Sequence, residues 1–313
     1  MFDVNDFDQT HPGPFEWDVL RLVTSFVTCL QSRDEPDKAA SLARHIADTY
    51  RKTMQELSRK PTVGVLYERM TADDIEGLAD EADSAAPAKD TEAALEKARH
   101  RTQGRAIARL TEEVDGQARF KQKPSMIEQL EDETLRAYVE TGYAAFVETL
   151  PPENQVIARR YKIIDFARKV VGLGSIGTRC FVTLLEGRDA DDRIILQFKE
   201  AKPSVLSPYV KNMGEFPRIE HEGQRIVRGQ RLMQAVSDLF LGWVDGMPGT
   251  NKQFFGRQLH DMKGGFDVES AKLATFELYA DLCARTLARA PARSGDAVAI
   301  AAGELEAADI EGA

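Results

Sequence analysis

The chain has 313 residues, 42% of them hydrophobic and 29% charged, with a formal net charge of -10. That length is enough for a large core and about two lobes, and the negative balance argues against a broad electrostatic grip on nucleic acid or anionic lipid. Cys29, Cys180 and Cys283 lie far apart in apolar contexts, so no disulfide framework or metal motif is spelled out; no apolar run reaches the ~18 residues of a membrane span, and with no basic-then-apolar leader the expectation is a cytoplasmic protein with no membrane partner.

Met1 to Asp8, MFDVNDFD, is a short apolar alternation carrying Asp3, Asn5, Asp6 and Asp8. Carboxylates this dense suit magnesium, which prefers oxygen ligands and shares them with phosphates. The same residues also make an acidic turn ahead of a helix, and spacing alone favours that plainer reading. Thr10 to Pro14 reads as a turn with Pro14 near the first helical position.

Phe15 to Gln31 predicts a helix that is apolar around much of its circumference. Glu35-Pro36 starts another, with Ala39, Leu42, Ile46, Tyr50, Met54 and Leu57 on a stripe at helical spacing. His11 and His45 have no partner at metal spacing and read as structural or surface residues. Asp73 to Asp90, rich in Asp, Glu and Ala, predicts a solvated helix or mobile linker. Thr91 to Leu110 predicts a more basic helix, and Ser125 to Leu150 another that Pro151-Pro152 stops. Residues 1–150 are thus expected to form one helical lobe.

The most informative stretch is Lys169 to Lys199, KVVGLGSIGTRCFVTLLEGRDADDRIILQFK. Gly172, Gly174 and Gly177, with Ser175 between them, have the spacing that brings backbone N–H groups against phosphate oxygens without obstruction by Cβ. A dinucleotide-binding unit needs a helix after the third glycine. Here Thr178 to Leu185 is β-branched and aromatic and predicts a strand, Glu186 to Asp192 a turn, and Arg193 to Lys199 a returning strand. Such a hairpin delivers Lys199 to whatever the glycines hold, which is the kinase pattern of a glycine-rich loop and a strand lysine on the phosphates. Alternation places Lys199, Gln197 and Ile195 on one face and Phe198, Leu196 and Ile194 on the other. The bland alternative is a glycine-containing hairpin that binds nothing.

Glu222 to Ser237 predicts a helix, and Leu239 to Val244 and Gln253 to Leu259 predict short strands. Glycine hairpin, lysine strand, helix and two more strands is the order of a kinase small lobe. Residues 151–262 therefore read as a sheet lobe, 263–296 as a segment whose helix, Leu273 to Ala290, returns to the helical lobe, and 297–313 as a disordered Ala-rich tail. The fold class is α+β.

Six segments, NDFDQTHPGPFEWDVLRL, KVVGLGSIGTRCFVTLLEG, LQFKEAKPSVL, GQRIVRGQRLMQAVSDLFLGW, RQLHDMKGG and LARAPARSGD, resemble in the same order the bacterial family called domain of unknown function 2252. More distantly, Asp6-Phe7, Gly13-Pro14 and Trp17-Asp18-Val19 are similar to a segment of aminoglycoside phosphotransferase-like kinases. That resemblance implies Asp6 as a magnesium ligand, Asp18 as a structural brace and Lys199 on the phosphates of ATP. In those kinases the glycine loop comes first, so the implied architecture is a circularly permuted kinase-like fold, shortened at both ends. Their Gly-Asp-x-His-x-x-Asn catalytic segment would lie upstream of Met1, and Pro291 stands where the family commonly has histidine. The carboxylate implied to pair with Lys199 is Glu222, while the family pattern places an acid where Arg228 stands. The resemblance implies an ATP- and Mg2+-binding protein whose family reaction is phosphoryl transfer to an unknown phosphoacceptor, impaired in this chain for lack of the catalytic segment. The alternative is a non-catalytic nucleotide-sensing or protein-interaction module, with nucleic acid excluded as a partner.

Overall fold

The structure, a computed structural model, describes residues 1–82, 84–99, 103–123, 126–129, 133–169, 177–210, 219–259, 266, 268 and 270–303. Helix α1 (Glu16–Ser32) buries Val19, Val23, Phe26 and Leu30, a stripe at three- and four-residue spacing. A 3-10 turn at Pro36–Lys38 leads into α2 (Ala39–Ser58), which buries Leu42, Ile46, Tyr50, Met54 and Leu57. Helix α3 (Thr62–Tyr67) is short. Helix α4 (Ala72–Asp80) starts at a capping box in which Thr71 and Asp74 exchange side chain to backbone hydrogen bonds, so this acidic stretch is ordered by its own cap. Helices α5 (Ala85–Arg99) and α6 (Gln103–Leu110) follow.

The stretch from Thr111 to Gln129 holds strands within what was expected to be a helical lobe. Strands β1 (Thr111–Val114) and β2 (Gln117–Phe120) form an antiparallel hairpin. Asp115 and Gly116 both have positive φ, 52° and 76°, as a two-residue Asp-Gly hairpin turn requires. Strand β3 (Ile127–Gln129) then lies where a helix was expected, and α7 begins only afterwards (Glu133–Glu148), followed by α8 (Pro152–Ala158).

Strands β4 (Lys162–Lys169), β5 (Cys180–Glu186) and β6 (Arg193–Ala201), helix α9 (Glu222–Met233), and strands β7 (Gly242–Asp245) and β8 (Gln253–Gln258) come next. The antiparallel sheet has the order β3-β4-β5-β6-β8-β7. A strand follows Gly177, so the helix of a dinucleotide-binding unit is not there. One face of the sheet packs Leu185, Ile194 and Leu196 against Phe146, Val147 and Leu150 of α7 and its C-terminal end, and against Ala158 of α8. On the opposite face, Val182, Leu184 and Ile195 meet Leu110, Ala118 and Phe120.

Helix α10 (Leu273–Ser294) completes the bundle with α1 and α2. It presents Phe276, Ala280, Ala284, Ala288 and Ala292, a stripe of mostly small side chains at every fourth position that permits close approach. A last helix, α11 (Ala297–Ala302), falls in the expected disordered tail. Asp296 caps it by accepting from the N–H groups of Val298 and Ala299, and Ile300 packs on the bundle.

Candidate functional site

The site is built at the end of β6. Register pairs Lys199 with Cys180 on β5 and with Phe255 on β8, which puts the three side chains on one face. The N-terminal segment packs on that face, where Phe7 joins Ala201, Ile226, Val227, Leu241 and Phe255 in one apolar cluster. Burial of Phe7 carries the next residue to the lysine, and Asp8 Oδ2 lies 3.6 Å from Lys199 Nζ. Asp6 is exposed and holds φ at 71°, a left-handed conformation that costs an L-residue about 1 kcal/mol and persists where surrounding contacts impose it.

Those contacts run through α9. Arg225 is buried and donates to the carbonyl oxygens of Thr10, Asp8 (3.1 Å) and Lys202 (2.8 Å), while its Nε pairs with Glu222 at 2.6 Å. A planar guanidinium with five donors can gather that many acceptors at once. One turn on, Gly229 lets Thr10 approach the helix, since a Cβ there would come within 2.6 Å of Thr10 Cγ2. Further along, Gln234 Nε2 donates to the Val4 carbonyl at 2.9 Å, and the Ala235 N–H donates to Asp3 Oδ2 at 2.9 Å. The acidic segment is therefore fixed to α9 and β6 along its length.

Only the last glycine of the run is described. Gly172, Gly174 and Ser175 lie outside the described residues, whereas Gly177 has a φ of 84° that favours glycine. Lys202 Nζ donates to the Gly177 carbonyl at 3.0 Å. Just beyond, the Arg179 N–H donates to Glu200 Oε2 at 3.0 Å, and Lys252 Nζ sits 2.7 Å from Glu200 Oε1. Burial opposes charge on Glu200, yet these hydrogen bonds hold its carboxyl below the usual range. Burial pushes the Cys180 thiol up, and Gln197 Nε2 donates to its sulfur at 3.3 Å, so Cys180 is a packed thiol.

Of the residues singled out by sequence, Gly177 and Lys199 lie on the same end of the β5–β6 hairpin, with the Asp6 segment beside them. Glu222 instead pairs with Arg225, one helical turn away, and the ion-pair partner of Lys199 is Asp8. Arg228 is exposed. Asp18 is exposed in the first turn of α1, a position that favours an acidic residue next to the helix N-terminus. Among the described residues, no group of three or more His, Cys, Asp or Glu side chains is arranged to hold a metal by itself. Asp8 as the lysine's partner and Arg225 as the clasp were not legible. The weak trace of the second is a helix carrying two glycines, Gly223 and Gly229, each set against another segment.

A bacterial family described as uncharacterized protein conserved in bacteria (DUF2252) matches the chain over residues 1–311. The chain belongs to the DUF2252 family. No curated protein and no solved structure matches it. In this DUF2252 chain, no helix among the described residues is long and apolar enough to cross a membrane. What distinguishes the junction is the meeting of the Asp8 carboxylate, the strand lysine Lys199 and Gly177, the last glycine of the run, at one end of the sheet.

Proposed function

We propose that this DUF2252 protein binds ATP in a kinase-like fold of circularly permuted order, and that phosphoryl transfer to an acceptor is the family reaction. Gly172, Gly174, Ser175 and Gly177 would cradle the phosphates through backbone N–H groups, and Lys199 would pair with them. The observation that supports this most is the Asp8–Lys199 ion pair, which joins the acidic segment to the strand lysine at the end of the glycine hairpin. The chain order of glycine hairpin, lysine strand, helix α9 and two further strands supports it as well.

The carboxylate beside the lysine is Asp8, and Asp6 lies two residues before it on the same segment; carboxylate oxygens suit magnesium, which keeps waters and shares phosphate oxygens. When bound, the ion would bridge and neutralise the phosphates. Asp6, which is exposed and has a left-handed backbone conformation, would be the residue to hold it. Asp8, 3.6 Å from the Lys199 ammonium, would orient it until a phosphate took its place.

Calorimetric titration of the full chain with ATP, with and without magnesium, tests the reading. Lys199→Ala is expected to weaken binding by roughly 10- to 100-fold, the worth of a charge-assisted hydrogen bond, and unchanged affinity would overturn the lysine assignment. Asp6→Asn is expected to remove the magnesium dependence. Metal-independent binding that tolerates Asp6→Asn would favour a nucleotide-sensing module, and no binding at all would leave the hairpin as scaffold.

A further inference from the structure

On the sheet face opposite Lys199, α7 does not close fully over the strands. A cavity of about 120 Å3 opens to solvent there, similar in size to the engineered cavities of about 150 Å3 that hold one benzene ring. Its sheet side is formed by Phe166, Phe181, Phe198 and Phe254. Its helix side includes Tyr138 and Tyr143, whose hydroxyls donate elsewhere, to the carbonyls of Asp245 (3.0 Å) and Ala158 (2.8 Å), so both offer ring carbon to the cavity. Aromatic walls of this kind favour another ring, edge-on or offset.

Two independent features set the cavity apart from a packing gap. Gly142 lines it from inside α7, and a Cβ built there meets nothing within 4 Å. Glycine is disfavoured in a helix interior relative to alanine, and here it keeps the space clear. Thr183, only 3% exposed, also lines the cavity and has no side-chain hydrogen bond among the described residues. Its hydroxyl is therefore available to a polar group on an occupant.

The charges at the mouth decide what that occupant carries. Lys252 is neutralised by Glu200 at 2.7 Å. The Asp245 side chain is 80% exposed and turned to His221 Nε2 at 3.4 Å. Arg179 lines the cavity, is exposed, and has no ion pair among the described residues. Arg179 and Thr183 lie on the same strand side, four residues apart, which is about 13 Å of extended chain. A hydroxylated ring with a short acidic arm, met by the arginine side chain, spans that distance.

We propose that this cavity binds a small hydroxylated aromatic carboxylate, with its ring between the phenylalanines and α7, its hydroxyl on Thr183 and its carboxylate on Arg179. The site is separated from Lys199 by the sheet, so it stands or falls independently of nucleotide binding.

The test uses the full chain and 4-hydroxyphenylacetate, followed by ligand-observed NMR and calorimetry, with phenylacetate and the neutral 4-hydroxyphenethyl alcohol as comparators. Saturable binding is expected, and Gly142→Leu, whose side chain enters the open space, should abolish it while leaving the thermal melt unimpaired. Arg179→Gln should weaken the two acids by about 10-fold or more without affecting the alcohol. Thr183→Val should remove the preference for the hydroxylated acid over phenylacetate, and it provides the control should Gly142→Leu fail to fold. Wild-type affinity in Gly142→Leu, equal loss for acid and alcohol in Arg179→Gln, or no saturable binding by the unaltered chain would each overturn the proposal.

Discussion

Leu30 and Ile46 in the α1–α2–α10 bundle are 0% exposed, and Arg225 at the N-terminal junction is 6% exposed, yet different forces hold them. Leu30 and Ile46 belong to one cluster of apolar side chains, so their stabilisation scales with the area removed from water and with how completely the space is filled. Arg225 brings a full charge out of water and is stabilised by a carboxylate and three carbonyl oxygens supplied by two distant segments. The first arrangement tolerates changes of side-chain shape that conserve volume. The second fails once a single partner is lost, because what remains is a buried and unsatisfied polar group.

The sharpest way to break this contrast is Arg225→Met, which conserves length and apolar volume but strands Glu222 and the carbonyls of residues 8, 10 and 202. It is expected to cost about 3–5 kcal/mol in chemical denaturation. Amide exchange should rise first in the N-terminal segment and near Lys202; uniform destabilisation with no local opening would contradict the clasp. Leu30→Ala should cost about 3 kcal/mol through cavity formation and leave ATP affinity per folded molecule unchanged.

Within the bundle, Asp281 offers an intermediate case. Burial alone would raise its carboxyl, but His45, Arg285 Nε (2.6 Å) and Thr49 Oγ1 (2.8 Å) bind it and hold it down at about 2. Because the folded value lies below the unfolded one, this contribution is present above about pH 4 and is lost as pH falls towards 2. It amounts to about 2 kcal/mol, so Asp281→Asn should flatten the acid limb of the stability–pH curve by that amount. The smallest effect is expected for Lys199→Ala, below about 1 kcal/mol in stability because its ion pair with Asp8 is partly exposed. A larger loss would make the lysine structural and count against its assignment to phosphate.

How much of this was legible in the sequence follows from the same contrast. The periodic burial of Val19, Val23, Phe26 and Leu30, or of Leu42, Ile46 and Tyr50, is written in residue type, and those helices lie within a few residues of expectation. Alternation along β6 also separated Lys199 from Phe198 correctly. The β1–β2 hairpin carried its own turn signal in Asp115-Gly116, which the reading of residues 1–150 as one helical lobe passed over. Arg225 could not be found this way, because its acceptors are main-chain carbonyls and residue type does not reveal them. The Asp8–Lys199 pair depends on where Phe7 is buried, a tertiary fact with no local pattern. Glu222 was claimed by a nearer partner, Arg225, within the same helix.

The convergence on Arg225 also bears on how such a chain can diverge. Every amino acid supplies a carbonyl oxygen, so residues 8, 10 and 202 can mutate without losing their bond to the guanidinium. Arg225 itself, and Gly229 where Thr10 approaches the helix, have no such freedom. Paired substitutions between the N-terminal segment and α9 would therefore be sparse in related sequences, even though the two elements are in direct contact. A search for contacts by correlated change would miss this junction, while a search for single immovable positions would find it.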